Sequence, residues 1–199
     1  MNDHTVIVDY RAGNLTSVKL AFAAIGAEAV VTSDADAVRS AARVVFPGVG
    51  AAASAMENLR ALGLVDAVRA AATDGRPFLG ICLGMQILFE HSEEDGGVDL
   101  LGVLPGRVRR FPDVPGAKVP EIGWNQVRGL RVAGVPDGSE FYFVHSYYAE
   151  KGPYTAGVTE YAGVEFTSAV RRGGLLATQF HPEKSGKLGL AVLKGFLSC

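Results

Sequence analysis

The stretch that decides the fold is FLGICLGMQILFE, Phe78 to Glu90. Apolar and small residues run into Cys82, and a glycine stands two positions away on each side, Gly80 and Gly84. RPFLGIC reads as a buried strand, and LGMQILFEHS, which follows it, as a helix. A G-x-nucleophile-x-G pattern at such a junction predicts a sharp, strained turn. It would lift the side chain above the carboxyl edge of a sheet, where α/β proteins bind their ligands. The flanking glycines let neighbouring backbone come close. N–H groups at the start of the following helix would favour the thiolate, the form of sulfur that attacks. The same five residues also fit a buried structural cysteine in an apolar strand.

Working outward, TVIVDY is a β-branched first strand, and GNLTSVKLAFAAIGAE a helix with Asn14 as N-cap and Gly26 at its C-terminal stop. EAVVTS reads as a second strand, DADAVRSA as a short helix with an acidic start, and RVVFPG as a third strand. A helical stretch from about 52 to 72 breaks near Gly63. Strand and helix therefore alternate, which implies a parallel sheet with helices on its faces. After residue 100 the texture changes. RVRRF, WNQVRGL, EFYFVHSYYAE, YTAGVTEYAG, EFTSAVRRG and LLATQFHPE are short, rich in Val, Tyr and Phe, and separated by Gly and Pro. They predict antiparallel or mixed strands, and KLGLAVLKGFLS a closing helix. The expected fold is α/β, a single three-layer domain with a mixed, largely parallel central sheet flanked by helices, its second half on the same sheet.

Composition narrows the function. The chain has 199 residues, 48% of them hydrophobic, and a net charge of −2. That is enough for one large core and too little positive charge for a nucleic-acid backbone. The densest basic run, Arg107 to Arg110, reads as a solvated strand. MNDHTVIVDY lacks the features of a secretory signal, and no apolar run reaches the roughly 18 residues of a membrane helix. Two cysteines argue against a disulfide framework, and Cys199 reads as a frayed tail. A protein of the cytoplasm, with no membrane or nucleic-acid partner, is expected. Four scattered histidines and no C-x-x-C give no basis for a metal site, and no cofactor is expected.

The partners of the cysteine come from TQFHPEKSG, where His181 and Glu183 stand two apart. In an extended segment such residues share a face. A His that takes the thiol proton, oriented by an acceptor on its other nitrogen, is the general logic of an activated nucleophile. Each residue alone also fits a merely satisfied or solvated position. Acyl transfer further needs N–H donors for an oxyanion. Leu83, just past the cysteine, is one source, and FPGVG supplies Val49 or Gly50 as another, although Pro-Gly is also ordinary turn chemistry.

PGVG (47–50), GICLGMQILFE (80–90) and QFHPEKSG (179–186), in this order and at these separations, resemble the class I, or triad, glutamine amidotransferases. VDYRAGNL (8–15), GWN (123–125) and FYFVHSYY (141–148) carry the likeness across essentially the whole chain. Of these motifs, DYRAGN, GWN and HPEKSG select the branch whose members are glutaminase subunits for a separate cyclase of histidine biosynthesis. The resemblance implies one glutamine amidotransferase domain over 1–199 and hydrolysis of glutamine to glutamate and ammonia. It implies attack by Cys82, proton transfer by His181, orientation by Glu183, and a γ-glutamyl thioester. Val49, Gly50 and Leu83 would form the oxyanion hole. Gln86, one helical turn past Cys82, would bind substrate together with Glu94, Ser146 and Tyr147. The implied partner is a (β/α)₈-barrel cyclase subunit, in a heterodimer that channels ammonia, with Asn14, Trp124, Tyr142 and Lys184 at the interface. These four also fit a cap, a core tryptophan, a strand aromatic and an exposed lysine, and Glu94 also fits a solvated acidic loop.

Two departures stand out. Glu121 occupies a place where the family usually has histidine, which leaves the triad alone but bears on partner contacts near that loop. AAASAM follows PGVG where a bulkier, aromatic-containing run is usual. The expected switch is the PGVG backbone, with an oxyanion N–H turned away until a partner acts on it. A free-standing γ-glutamyl hydrolase, the glutaminase of pyridoxal phosphate synthesis and a non-catalytic regulatory subunit are the competing readings.

Overall fold

The computed structural model describes residues 4–198; the expectation for Cys199 lies outside them. In chain order the strands are β1 (Thr5–Val8), β2 (Ala29–Thr32), β3 (Arg43–Gly48), β4 (Phe78–Cys82), β5 (His91–Ser92), β6 (Val98–Asp99) and β7 (Arg107–Arg110). They continue as β8 (Glu121–Val127), β9 (Ser139–His145), β10 (Tyr147–Ala149), β11 (Thr155–Tyr161), β12 (Val164–Arg172) and β13 (Leu175–Thr178). The helices are α1 (Leu15–Ala24), α2 (Ala35–Ser40), α3 (Ala52–Ala61), α4 (Val65–Ala71), α5 (Leu83–Gln86) and α6 (Gly186–Leu197).

The central sheet is mixed. Its parallel run, β2-β1-β3-β4-β13, holds the first half of the chain, and β13 returns from the far end to lie beside β4. From β12 onward the pairing is mostly antiparallel, through β10 and β7 to the short β5 and β6. Alternation along the parallel strands splits the core in two. Val6, Val8, Val44, Phe46 and Phe78 face α2, α3 and α4. Ile7, Val45, Leu79 and Ile81 face the side that buries Val18 and Phe22 of α1 and Val192, Leu193 and Phe196 of α6. Each fully buried aromatic or aliphatic side chain contributes about 1.5–3 kcal/mol relative to exposure, so these two layers carry most of the stability. The three-layer reading of the sequence is the fold observed, and the break at Gly63 separates α3 from α4 as expected.

Three local expectations are corrected. First, β8 and β9 are not on the central sheet but form their own antiparallel pair, from Glu121 opposite His145 to Val127 opposite Ser139. Phe141 and Phe143 of β9 pack with Phe111, Phe166 and Phe180 on the sheet's face, with Phe141 stacked on Phe180 at 4.1 Å. The chain changes sheets at Ser146, whose carbonyl accepts the Phe111 N–H at 3.0 Å. Second, the helix expected over 83–92 is a single turn. Residues 87–89 surrender their carbonyls to the loop after β6: Ile87 accepts from Leu101, Leu88 from Val103 and Leu104, Phe89 from Gly102. Ile87, Leu88 and Phe89 are all buried, so no solvated face is left for a longer helix. Third, Asn14 holds the N-cap position of α1 but its side chain makes no capping bond. Asp34 does cap α2, accepting from Asp36 and Ala37 N–H.

Candidate active site

Cys82 ends β4 with φ 55° and ψ −112°, a conformation costly for a residue bearing a Cβ. It persists because three strands and one turn meet there without side chains in the way. A Cβ on Gly80 would stand 2.7 Å from the Gly84 carbonyl oxygen, and one on Gly84 would fall on the Phe46 carbonyl. A Cβ on Gly48 would meet Gly84 N at 2.6 Å. The glycines around Cys82 are thus there for close approach, as the sequence suggested. The Sγ lies 3.9 Å from the Val144 carbonyl.

His181 follows β13 and is pinned from both sides. Its N–H donates to the Tyr142 carbonyl of β9 at 2.9 Å. Its carbonyl accepts from the Ser185 hydroxyl at 2.6 Å, and that hydroxyl accepts the Tyr142 N–H at 3.0 Å. The neighbour Phe180 anchors the segment in the aromatic core. His181 Nδ1 meets Glu183 Oε1 at 2.7 Å, with both side chains almost wholly buried. The contact does not come from the extended alternation that the sequence led us to expect, because Pro182–Lys184 form a 3₁₀ turn. Proline at the turn's first position fixes φ and lacks the N–H that would compete.

Burial alone would push the His181 pKa down, but the Cys82 sulfur and then Glu183 outweigh it and push it up to about 10. Among the described residues, His181 Nε2 is buried with no hydrogen-bond partner of ordinary geometry. It is the ring nitrogen that Glu183 does not engage.

A cavity of about 370 Å³ opens over Cys82, lined among others by Val49, Gly50, Leu83, Gln86, Glu94 and Lys184. Ser146 and Tyr147 also face it, with Pro120, Val144 and His145. A larger hollow of about 570 Å³ lies at the amino ends of β1–β3, at the opposite end of the strands from Cys82. Gln86 is buried, and its Nε2 donates to the Tyr147 carbonyl at 2.8 Å and to Gln179 Oε1 at 2.9 Å. Glu94 is not merely a solvated acid: one oxygen accepts the Ala52 N–H at 2.7 Å, at the start of α3. Burial raises its pKa, the Ala52 N–H opposes the rise, and Asp95 adds to it. Tyr10, stacked on Phe46 at 4.9 Å, lies beneath this end of the sheet. Burial drives its hydroxyl pKa far up, the Val49 N–H tempers that rise, and the Cys82 sulfur adds to it.

Trp124 is 54% exposed, so it is not a core residue. It meets Tyr142 edge-on at 6.1 Å, and Lys184 Nζ stands 5.7 Å over the Tyr142 ring. Exposed Ile122 is on the same strand as Trp124, and exposed Val49 is at the cavity. Asn14 is at the start of α1, next to Gly13, where a side chain would meet Pro47 of β3.

Glu121 is the surprise. It is buried, 3.1 Å from His145 Nε2, and it accepts from Asn125 Nδ2 at 2.8 Å. His145 Nδ1 meets the Tyr147 carbonyl at 2.7 Å. Glu121 therefore stands behind the cavity wall rather than at an exposed contact surface. His145, Gln179 and Val144 were not singled out from sequence. The one available signal was polarity inside apolar runs, FVHSY and ATQFH.

The chain matches the family model described as glutamine amidotransferase class-I over residues 6–198. Imidazole glycerol phosphate synthase subunit HisH of Moorella thermoacetica is 50% identical over 196 residues, covering 96% of this chain and 92% of that one. The subunit of the same name in Methanothermobacter thermautotrophicus is 49% identical over 195 residues, covering 96% of each. Among solved structures, a glutamine amidotransferase matches with a TM-score of 0.75 over 97% of both chains, at 22% identity. That last likeness speaks for the fold alone.

Proposed function

The chain belongs to the class I glutamine amidotransferases, and from that premise we propose that residues 1–199 form one such domain, working as the glutaminase subunit of an imidazole glycerol phosphate synthase. It hydrolyses glutamine to glutamate and ammonia. The ammonia goes to a (β/α)₈-barrel cyclase subunit, docked one to one, which makes imidazole glycerol phosphate and an aminoimidazole carboxamide ribotide in histidine biosynthesis. The cytoplasm is the compartment that suits this chemistry; no helix among the described residues is long and apolar enough to cross a membrane. The observation that carries the reading is identity near one half with such subunits across almost the whole chain.

The Cys82 thiolate attacks the side-chain amide carbon of glutamine. His181, held protonated by the charges around it, gives its proton to the departing nitrogen, and ammonia leaves a γ-glutamyl thioester. Water, deprotonated by His181, then attacks the thioester carbon; the C–S bond breaks, sulfur keeps the electron pair, and glutamate forms. Glu183 holds His181 through Nδ1 so that Nε2 faces the sulfur. Leu83, Val49 and Gly50 N–H groups receive the oxyanion; one such donor is typically worth about 10²–10³ in rate. Gln86 and Glu94 grip the amino-acid end, with Ser146 and Tyr147 as the wall. Both hydrogens of the Gln86 amide are already committed, which leaves its carbonyl for the substrate's ammonium.

In the resting state the Val49 N–H is turned from the pocket, since a strand end rich in glycine lets the peptide flip at little cost. Binding of the cyclase subunit at Trp124, Tyr142, Lys184 and Asn14, with its nucleotide in place, turns the peptide. The test is glutamate release from glutamine by the chain alone, with a cyclase subunit, and with that subunit and its nucleotide. Near silence alone and a large rise with both is expected, and nothing at all with Cys82→Ala. Full activity alone, indifferent to the cyclase, would point to a free-standing γ-glutamyl hydrolase instead.

A further inference from the structure

Gln179 lies between β13 and His181, is completely buried, and has no part in the chemistry described so far. Its N–H donates to the Ser168 carbonyl at 2.9 Å, so β12 fixes where it stands. Its side-chain Oε1 accepts from Gln86 Nε2 at 2.9 Å, and its Nε2 stands 3.6 Å from Cys82 Sγ.

The orientation of this amide follows from its neighbours. The Tyr147 carbonyl can only accept, and it lies 2.8 Å from the Gln86 amide nitrogen. That fixes which end of the Gln86 amide is nitrogen. Its second hydrogen needs another acceptor, and Gln179 Oε1 is in place. The nitrogen of Gln179 is then the end that remains for the sulfur.

We propose that Gln179 is a further catalytic residue, donating a hydrogen bond to the Cys82 thiolate and tying the nucleophile through Gln86 to the amino-acid end of the pocket. The proposal rests on the reading of Cys82 as nucleophile. Sulfur is anionic before attack, loses its charge when the C–S bond forms, and regains it when water expels it from the thioester. A donor strengthens when its acceptor is charged, so Gln179 holds the sulfur most strongly at the start and at the end of the cycle. It therefore assists thioester hydrolysis, where the thiolate is the leaving group.

The test is Cys82 alkylation by iodoacetamide as a function of pH, on the wild-type chain, Gln179→Met and Gln179→Glu, each first shown folded by thermal unfolding. The titratable groups around the sulfur, His181 and Tyr10 with Glu94, His145 and Lys184 of the cavity, are the same in all three; Gln179→Glu adds a carboxyl beside the sulfur, so Gln179→Met is the variant that isolates the lost donor. Both variants are expected to react about ten-fold more slowly near neutral pH, with profiles displaced to higher pH. With the cyclase subunit bound, Gln179→Glu keeps the acceptor for Gln86, so its KM for glutamine stays near wild type while kcat falls; Gln179→Met raises KM as well. Alkylation profiles indistinguishable from wild type would overturn the proposal. If neither variant folds, the ¹⁵N-labelled wild-type chain decides: alkylating Cys82 shifts the Gln179 side-chain amide resonances, and unmoved resonances would overturn it. Failure of wild type plus cyclase to release glutamate would instead sink the proposed function, so the two failures are separate.

Discussion

Two buried histidine–carboxylate pairs lie close to one cavity, and of the two only His181–Glu183 is coupled to the Cys82 sulfur. His181 meets Glu183 through Nδ1 and leaves Nε2 without a partner on the side of Cys82. His145 meets the Tyr147 carbonyl through Nδ1, and its Nε2, likewise without a hydrogen bond, stands 3.1 Å from Glu121 rather than beside a sulfur. The first pair is made within one turn of chain; the second spans a strand pair, because Glu121 and His145 are opposite residues in the β8–β9 register. A histidine beside a carboxylate is therefore not by itself a catalytic signature. What distinguishes the two is the group beside that nitrogen, the Cys82 sulfur for His181 and a carboxylate for His145. The second pair stiffens a wall: the Tyr147 carbonyl that His145 holds also takes the Gln86 amide.

The comparison can be broken most decisively at His181. His181→Ala should lower glutaminase kcat by roughly 10⁴ or more in the cyclase complex, read as ammonia release. An equal loss from His145→Ala would erase the distinction between the pairs. Next in size, Glu183→Gln keeps the volume but lets the ring choose the wrong tautomer. It should cost roughly 10²–10⁴ in kcat with little change in KM, and a loss confined to KM would speak for substrate binding instead. Glu121→Gln should be far milder. About ten-fold or less, falling on KM, is expected, since the wall loosens while the sulfur and His181 stay as they are. Steady-state kinetics on the two glutamine variants side by side gives the contrast directly.

The smallest effect concerns stability. The folded-state pKa of His181, about 10, lies above its ordinary value of 6.5, so the folded chain binds this proton more tightly than the unfolded one. The stabilisation is fully present below pH 6.5 and is lost as pH rises through about 10. Urea midpoints should therefore fall across that window in the wild-type chain. They should fall less in Cys82→Ala, where the chief attraction on the imidazolium is gone.

The two pairs also divide what could be read from sequence. Cys82, with Gly80 and Gly84, was legible because a strained turn needs glycine nearby for steric reasons that are local. His181 and Glu183 were legible because they share one turn, though that turn is 3₁₀ rather than extended. Glu121 and His145 were not, since 24 positions of chain separate them and only the strand register joins them. Gln179 stood in view within the same motif as His181, but its two contacts, Gln86 and Cys82, lie some 90 or more positions away. The helix over 83–92 failed for a related reason: its carbonyls were claimed by N–H groups of residues 101–104, and propensity yields to tertiary hydrogen bonds.

By itself the sequence determined the alternation of strand and helix, the layering of the core and the elbow at Cys82, because periodicity and backbone sterics act over a few residues. The tertiary structure alone decided which histidine stands by the sulfur, where Glu121 is buried and which amide reaches the sulfur. Those depend on the register of β9 against β8 and on the return of β13 beside β4, contacts whose partners no local pattern names.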